Sequence, residues 1–250
     1  MSDHETTRSA PDHFGAEVAR RYDQESAAMH EPASVEPTAA LLAALAAGGR
    51  ALEFAVGTGR IALPLARRGV DVHGIELSQA MVDELRAKPG GRELPVSIGD
   101  MATTRVDGEF SLVYLVCNTI VNLTTQAAQV ACFVNAAAHL LPGGCFVVEV
   151  NVPPLQRLPP GETLCAFQAD AGHWGLDEVD VVTQAMTSHH FTLVDGEIEH
   201  RPIPFRYVWP SELDLMAQIA GVRLRGRFGG WSDEPFTAAS RKHVSIWESP

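Results

Sequence analysis

A glycine-containing turn between a short apolar strand and a helix constrains this chain more than any other segment. Residues 51–56 read ALEFAV, and Gly57, Thr58 and Gly59 come before a helix predicted for residues 60–68. Glycines in such a turn let the backbone approach a ligand closely, and the free N–H groups of the helix start favour an anionic group. The turn therefore predicts a ligand site at the carboxyl edge of a sheet.

Apolar strands and helices alternate around this turn. Strands are predicted at residues 51–56, 70–75, near 96, at 110–116 and at 145–150, and helices at 60–68, 79–88 and 126–141. This alternation predicts a parallel sheet covered on both faces. Two helical stretches precede it, at 14–30 and 37–47; we expect the first to stop before Pro32 and the second to begin at Pro37. Residues 1–12 have the composition of a disordered end.

The pattern changes after residue 150. Proline-rich sequence occupies residues 152–160, and two or three extended segments follow, including a hairpin signal at Asp195-Gly196 between 187–194 and 198–207. A helix at 211–220 and strands at 222–228 and 243–247 are predicted to complete the chain. We expect four parts: a disordered end and helical arm (1–48), a cofactor-binding core (49–151), a β insertion that caps the substrate (152–208), and a C-terminal helix and strands that complete the core sheet (209–250).

Charge and hydropathy restrict the partners. The chain has 19 Lys and Arg against 31 Asp and Glu, a formal net charge of −12, so its field repels phosphate backbones and anionic lipids. No run approaches the roughly 20 apolar residues of a membrane span, and the first residues lack the apolar region of a signal peptide. We expect a cytoplasmic protein with no nucleic-acid or membrane partner and no metal site.

The glycine turn alone is compatible with two kinds of cofactor. The spacing of Gly57, Gly59 and Ala62 also fits a loose dinucleotide fingerprint, and Glu76 after the next strand suits a ribose in either case. Glu53, two residues before the turn, suits a cation such as the amino group of a methionine moiety and would repel a pyrophosphate.

A third strand adds a further contact to the same ligand. Asp100, which follows the strand near residue 96, can accept a hydrogen bond from an exocyclic amine, and the neighbouring Met101 can cover an adenine face. Together with Glu53, this favours a methionine- and adenine-containing ligand over a dinucleotide.

With these segments the chain resembles the class I S-adenosylmethionine-dependent methyltransferases. The matching segments are EFAVGTGR at 53–60, IELS at 75–78, GDM at 99–101 and LLPGG at 140–144. The resemblance implies an α/β Rossmann-like fold with a seven-stranded sheet whose last strand is antiparallel, here with an N-terminal helical arm and a small antiparallel β insertion. It implies S-adenosylmethionine as cofactor and a small-molecule methyl acceptor, methylated on nitrogen or oxygen in secondary metabolism, in a monomer or homodimer.

Two alternatives stay open from the sequence. One is a non-catalytic protein that binds S-adenosylmethionine or S-adenosylhomocysteine. The other, a nicotinamide-dependent oxidoreductase, is disfavoured by Glu53 and by the antiparallel return of the last strands.

The resemblance also assigns the cofactor contacts. Glu53 and the turn would surround the methionine end, Glu76 the ribose, and Asp100 and Met101 the adenine. The full predicted set is Tyr22, Glu53, Phe54, Ala55, Gly57, Gly59, Arg60, Glu76, Leu77, Met81, Gly99, Asp100, Met101, Cys117 and Asn118. Ala55 replaces the first glycine of the family's pattern, and an alanine fits there if its φ is negative.

The arm and the insertion look like those of the branch that contains the amino-sugar N-methyltransferases. In that branch a tyrosine of the arm reaches the cofactor's carboxylate, and the matching residue here is Tyr22. A histidine often follows the fourth strand in those enzymes, at the place of Asn122 in this chain.

Methyl transfer is an in-line displacement, so the protein mainly aligns the reactants and a base is optional. If the acceptor must lose a proton, a histidine is the natural base. His189 and His190 are the candidates, but neighbouring strand residues point to opposite faces, so at most one faces the cleft. Asn122 is the third catalytic candidate, and Tyr207, Trp209, Trp231 and Phe236 are candidates for the acceptor pocket.

Overall fold

A computed structural model describes residues 14–250, so the disordered end predicted for residues 1–12 lies outside the described part of the chain. The helices are α1 (Ala16–Glu25), α2 (Ala27–His30), α3 (Pro32–Ala46), α4 (Ala62–Arg67), α5 (Gln79–Arg86), α6 (Gln126–Ala137) and α7 (Pro210–Ala220). The strands are β1 (Ala51–Phe54), β2 (Val72–Glu76), β3 (Val96–Ile98), β4 (Phe110–Leu115), β5 (Leu140–Asn151), β6 (Leu164–Ala169), β7 (His173–Val179), β8 (Ala185–Val194), β9 (Glu197–Arg206), β10 (Arg223–Phe228) and β11 (Lys242–Glu248).

Seven of these strands form the main sheet, in the order β10-β11-β5-β4-β1-β2-β3. Strands β1 to β5 run parallel to one another, whereas β11 pairs antiparallel with β5. Because β1 and β4 are covered by apolar packing on both faces, they read as nearly continuous apolar runs in the sequence, interrupted only by Glu53 and Ser111. The predicted fold, including the antiparallel last strand, is confirmed.

Strands β6 to β9 form a separate four-stranded antiparallel sheet, the insertion sheet. The turn between β8 and β9 lies at Asp195-Gly196, where both residues have positive φ, as the tight hairpin turn requires. The sequence predicted two or three extended segments here. It gave no clear signal for β6 and β7 because polar residues and a glycine interrupt their apolar pattern.

The prediction that the first helical stretch stops before Pro32 is confirmed, because α2 ends at His30, but the prediction that the next helix begins at Pro37 is wrong. Pro32 is the first residue of α3, where the missing N–H is one that a helix start leaves unpaired anyway. Pro37 lies inside the same helix and removes one interior hydrogen bond. Burial of Val35, Ala39 and Leu42 along the helix compensates for that loss.

The boundary between α6 and β5 also differs from the prediction. The helix ends at Ala137 and not at residue 141, and β5 begins at Leu140 and not at residue 145. Leu140 pairs with Phe110 of β4, so the segment that the sequence indicates as a connection already belongs to the ladder.

The main sheet has an apolar core on each face. One core packs Phe133 of α6 against Phe146 and Trp247 of the sheet, with ring centroids 5.0 and 5.1 Å away. The other places α3 and α4 against Leu112 and Tyr114 of β4. Among residues 14–250, no helix combines the length and apolar character needed to cross a membrane.

Candidate functional site

The carboxyl ends of β1 to β4 open into a cavity of about 290 Å³, called the first cavity below. It brings together most of the predicted cofactor residues from separate strands and from α1. Those that line it are Tyr22, Ala55, Gly57, Glu76, Leu77, Met81, Gly99, Asp100, Met101, Cys117 and Asn118, together with the catalytic candidate Asn122. Glu53, Phe54, Gly59 and Arg60 lie outside this lining.

Glu76 ties the turn after β1 to the end of β2. Its Oε2 accepts a hydrogen bond from the Gly57 N–H at 2.8 Å, and its Oε1 accepts one from the Ser78 N–H at 2.9 Å. The side chain is buried, yet it lines the first cavity. A fixed carboxylate therefore faces the cavity beside the backbone of the turn.

The two glycines of the turn serve different purposes. Both have positive φ, but only Gly57 lines the first cavity. At Gly59 a Cβ atom would come within 3.0 Å of the Leu63 Cγ and 3.1 Å of the Leu85 Cγ. Gly59 thus leaves room for the packing of α4 and α5 against the turn.

An alanine fits at position 55 if its φ is negative, and Ala55 does not meet this condition. Its φ is +54°, in the left-handed region that is unfavourable for a residue with a Cβ atom. The hydrogen bond from the Val56 N–H to the Ile75 carbonyl, 3.0 Å long, holds the next residue to β2. The turn therefore keeps the shape that a glycine would adopt without strain.

We expect Ala55→Gly to stabilise the protein by about 0.5–1 kcal/mol. Relief of the left-handed conformation, roughly 1–2 kcal/mol, is partly offset by the greater freedom of glycine in the unfolded chain. Urea unfolding measures the change. Ala40→Gly, on the exposed face of α3, is the control and should lose about 1 kcal/mol. If Ala55→Gly loses as much as Ala40→Gly, Ala55 is not strained.

Glu53 and Phe54 lie beneath the first cavity, within the sheet. Glu53 is 3% exposed, and its Oε2 accepts a hydrogen bond from the Tyr114 hydroxyl at 2.9 Å. Burial raises the pKa of Glu53 to about 8, although the Tyr114 hydrogen bond and the nearby Arg60 charge act to lower it. Phe54 is 1% exposed and packs against Phe146 and His139 in the core.

The arm forms one wall of the first cavity. Phe14 and Tyr22 line the cavity, and burial raises the pKa of Tyr22. Asp23 docks the arm on the turn: it accepts a hydrogen bond from the Thr58 hydroxyl at 2.6 Å and forms an ion pair with Lys88. Sequence reasoning did not find this docking, because Asp23, Thr58 and Lys88 lie 30 or more residues apart in the chain.

A second cavity, of about 730 Å³, lies between the end of β5 and the inner face of the insertion sheet. His190, Asp177 and Tyr207 line it. His189 faces the other side of that sheet, where its Nδ1 lies 3.0 Å from the His200 Nε2 and its Nε2 lies 3.2 Å from the Glu178 Oε2. Only one of the two histidines thus faces the cavity, as strand geometry requires.

Electrostatics in the second cavity favour neutral groups. The His190 Nδ1 lies 3.1 Å from the His173 Nε2, and the two rings stack. Burial, followed by the charges of Arg201 and His173, lowers the pKa of His190. Burial also raises the pKa of Asp177, against the hydrogen bond that it accepts from Ser188. A neutral His190 has a lone pair available to accept a proton.

The first and second cavities share a wall made of Asn118, Val121 and Phe205. Sequence reasoning missed Val121 and Phe205. A ligand in one cavity would therefore contact the same side chains as a ligand in the other.

A third cavity, of about 680 Å³, lies on the arm side and is lined by Arg60, Glu149, Trp231 and Lys242. It shares Asn118 with both other cavities. Of the aromatic candidates for an acceptor pocket, Tyr207 lines the second cavity and Trp231 the third, whereas Trp209 and Phe236 line none of the three.

Comparison with known proteins agrees with this geometry. Residues 51–144 match the family described as Methyltransferase domain. The chain is 36% identical to the CcbJ methyltransferase from Streptomyces caelestis, with a TM-score of 0.82 over 94% of this chain and 97% of that one. It is 27% identical to the cypemycin N-terminal methyltransferase of a Streptomyces species, covering 80% of this chain and 83% of that protein. It also shares its fold with S-adenosylmethionine-bound CalS10, an amino pentose methyltransferase from Micromonospora echinaspora (20% identity, TM-score 0.62, 99% and 100% covered).

The chain belongs to the class I S-adenosylmethionine-dependent methyltransferases. It is therefore an enzyme, and S-adenosylmethionine is its cofactor. The dinucleotide interpretation of the glycine turn, and with it the oxidoreductase alternative, is wrong.

Proposed function

We propose that the enzyme transfers the methyl group of S-adenosylmethionine to a nitrogen or oxygen of a small molecule of secondary metabolism, with the cofactor in the first cavity and the acceptor in the second. The observation that carries this proposal is their common wall at Asn118, Val121 and Phe205. At this wall a methyl group carried by the cofactor in the first cavity would lie next to an acceptor in the second. In-line transfer requires such a junction.

The cofactor residues predicted from the sequence support the first half of this proposal. Glu76 would accept the ribose hydroxyls, while Asp100 and Met101 would contact the adenine from the end of β3. Tyr22, which lines the cavity, and Arg60, whose charge acts on Tyr22, would hold the methionine carboxylate.

The acceptor half rests on the second cavity. A volume of about 730 Å³ falls within the usual range for small-molecule sites. His190 would act as base for an acceptor that must lose a proton, with Asn122 and Asn118 as polar contacts near the transferred methyl group. Similarity to the cypemycin N-terminal methyltransferase and to the amino pentose methyltransferase CalS10 favours a nitrogen acceptor here.

We expect His190→Gln to reduce methyl transfer about 100-fold at neutral pH, because glutamine keeps polar contact but takes up no proton. The pKa of His190 lies below its ordinary value, so the histidine is neutral at neutral pH and gains a proton as the pH falls. The activity of the parent enzyme should therefore decrease at acid pH, and this acid limb of the pH–rate profile should be absent in the variant. His189→Gln, on the opposite face, should retain both activity and limb. Equal effects of the two substitutions would exclude His190 as the base.

The proposal as a whole is tested by incubating the protein with methyl-labelled S-adenosylmethionine and a panel of amines and alcohols of natural-product type. Calorimetric titration with S-adenosylhomocysteine is run in parallel. Transfer of label to a member of the panel supports the proposal. Binding of S-adenosylhomocysteine without transfer to any small molecule, combined with transfer to a protein or nucleic acid, contradicts it.

A further inference from the structure

The chain leaves β4 through two consecutive residues in a left-handed conformation. Cys117 has φ +63° and Asn118 has φ +62°, and neither is a glycine. Such a conformation is unfavourable for a residue such as cysteine, although asparagine adopts it more readily, and at Cys117 it persists only where surrounding contacts impose it. Both residues line the first cavity, and Asn118 also lines the second and third. The shape of this turn therefore determines what the cofactor and the acceptor meet at their common wall.

Residues of β5 impose that shape. The Cys117 N–H donates to the Glu149 Oε2 at 3.0 Å, and the Asn118 N–H donates to the Glu149 carbonyl at 3.1 Å. The Asn118 side chain is fixed in turn, because its Oδ1 accepts a hydrogen bond from the Asn151 N–H at 2.9 Å. One side-chain carboxylate and two backbone groups thus hold the turn.

The other carboxylate oxygen of Glu149 binds the C-terminal part of the chain. Its Oε1 accepts hydrogen bonds from the Trp231 Nε1 at 3.1 Å and from the Lys242 Nζ at 2.8 Å. The Glu149 side chain is only 12% exposed, so these contacts are largely shielded from water. This carboxylate therefore joins three parts of the chain: the turn after β4, the loop at Trp231 and β11. Its hydrogen bonds are strong because the acceptor is charged.

We propose that Glu149 is a positioning residue for methyl transfer: it holds the Cys117-Asn118 turn in the shape that places Asn118 between the cofactor and the acceptor. This rests on the proposed function, because it assigns the shared wall to the transferred methyl group. Glu149 itself lines the third cavity and neither the first nor the second. It therefore acts through the turn.

Glu149→Gln tests the proposal, because a glutamine amide has one acceptor oxygen where the carboxylate has two. Its NH₂ group would face either the Cys117 N–H or the donors of Trp231 and Lys242, and that hydrogen bonding would be lost. The readout is the reaction of Cys117 with a thiol reagent in a Cys165→Ser background, where the other two thiols, Cys132 and Cys145, are buried. Burial raises the pKa of the Cys117 thiol to about 12, so the parent should react slowly. We expect the variant to react at least about tenfold faster and to bind S-adenosylhomocysteine about tenfold more weakly.

Glu212→Gln is the matched control. Glu212 is 14% exposed at its side chain and accepts hydrogen bonds from Arg206, Gln184 and Gln126, but it lines none of the three cavities. It should lose stability without changing Cys117 reactivity. If Glu149→Gln fails to fold, Trp231→Phe removes one donor to the same carboxylate and should increase the reactivity to a smaller extent.

Unchanged reactivity and unchanged affinity in a folded Glu149→Gln protein would overturn the proposal, as would an equal response of the Glu212 control. Failure of the parent protein to bind S-adenosylhomocysteine is a different result. It would count against the proposed function, while Cys117 reactivity would still show whether Glu149 holds the turn.

Discussion

Replacement of Glu76 by alanine should reduce the affinity for S-adenosylhomocysteine by at least about 100-fold. In the proposed complex the carboxylate accepts hydrogen bonds from two ribose hydroxyls, and each hydrogen bond to a charged group contributes about 1.5–3 kcal/mol. The same substitution leaves the N–H groups of Gly57 and Ser78 without their acceptor. The turn that faces the cofactor would lose its support together with its ligand contact. Calorimetric titration measures the affinity directly.

Asp83→Ala provides the control for Glu76→Ala. Asp83 is an exposed carboxylate on α5, the helix that follows Glu76, and its side chain accepts a hydrogen bond from Gln79 at 2.8 Å. Its removal changes the net charge equally but should leave the affinity within about twofold, because an exposed charge is screened. An affinity of Glu76→Ala within tenfold of the parent would show that the ribose does not bind at this carboxylate.

The stability that Glu53 contributes to the cofactor-free protein should decrease as the pH rises from about 4.5 to 8, so the parent protein should lose stability relative to Glu53→Gln over this range. The pKa of Glu53 is raised from 4.5 to about 8 in the folded state, mainly by burial. Between these two values the folded protein retains a proton that the unfolded chain has released, so stability falls with rising pH. At about 1.4 kcal/mol per unit the loss is at most about 5 kcal/mol; we expect about 3, because protein interiors relax around a charge.

Urea unfolding between pH 4.5 and 8.5 measures this pH dependence. Glutamine can accept the hydrogen bond from the Tyr114 hydroxyl, so the variant should keep the local packing. Glu212→Gln should keep the decrease intact, because the pKa of Glu212 is shifted in the opposite direction, lowered by its hydrogen bonds and by Arg206 against the effect of burial. A stability difference between the parent and Glu53→Gln that does not change over this range would mean that Glu53 is ionised when folded.

The sequence predicts the main sheet well because each interior strand is apolar on both faces. The glycine turn, Glu76 and Asp100 could be placed at one edge for a general reason, since the carboxyl ends of parallel strands meet at the same side of a sheet. Pro37 misled the prediction of where α3 begins, because a proline at a helix start and one tolerated inside a helix look alike in one sequence. Burial by distant parts of the chain decides between them.

Other features depend on contacts between distant residues. Nothing near Ala55 in the sequence reveals its positive φ, which follows from the way the turn is tied to β2. By contrast, the hairpin signal in the sequence was sufficient to place Phe205 on the same face of the insertion sheet as His190. A two-residue turn at Asp195-Gly196 pairs His190 with Arg201 across the hairpin. Phe205 lies four residues beyond Arg201, on the same face.

The docking of the arm has a consequence for the timing of turnover. Phe14 and Tyr22 form one wall of the first cavity, and Asp23 fastens that wall to Thr58 and Lys88. Spent cofactor would leave past this wall only after those polar contacts open. With the cofactor in the first cavity, as proposed, the arm would thereby place a conformational step at the end of each cycle.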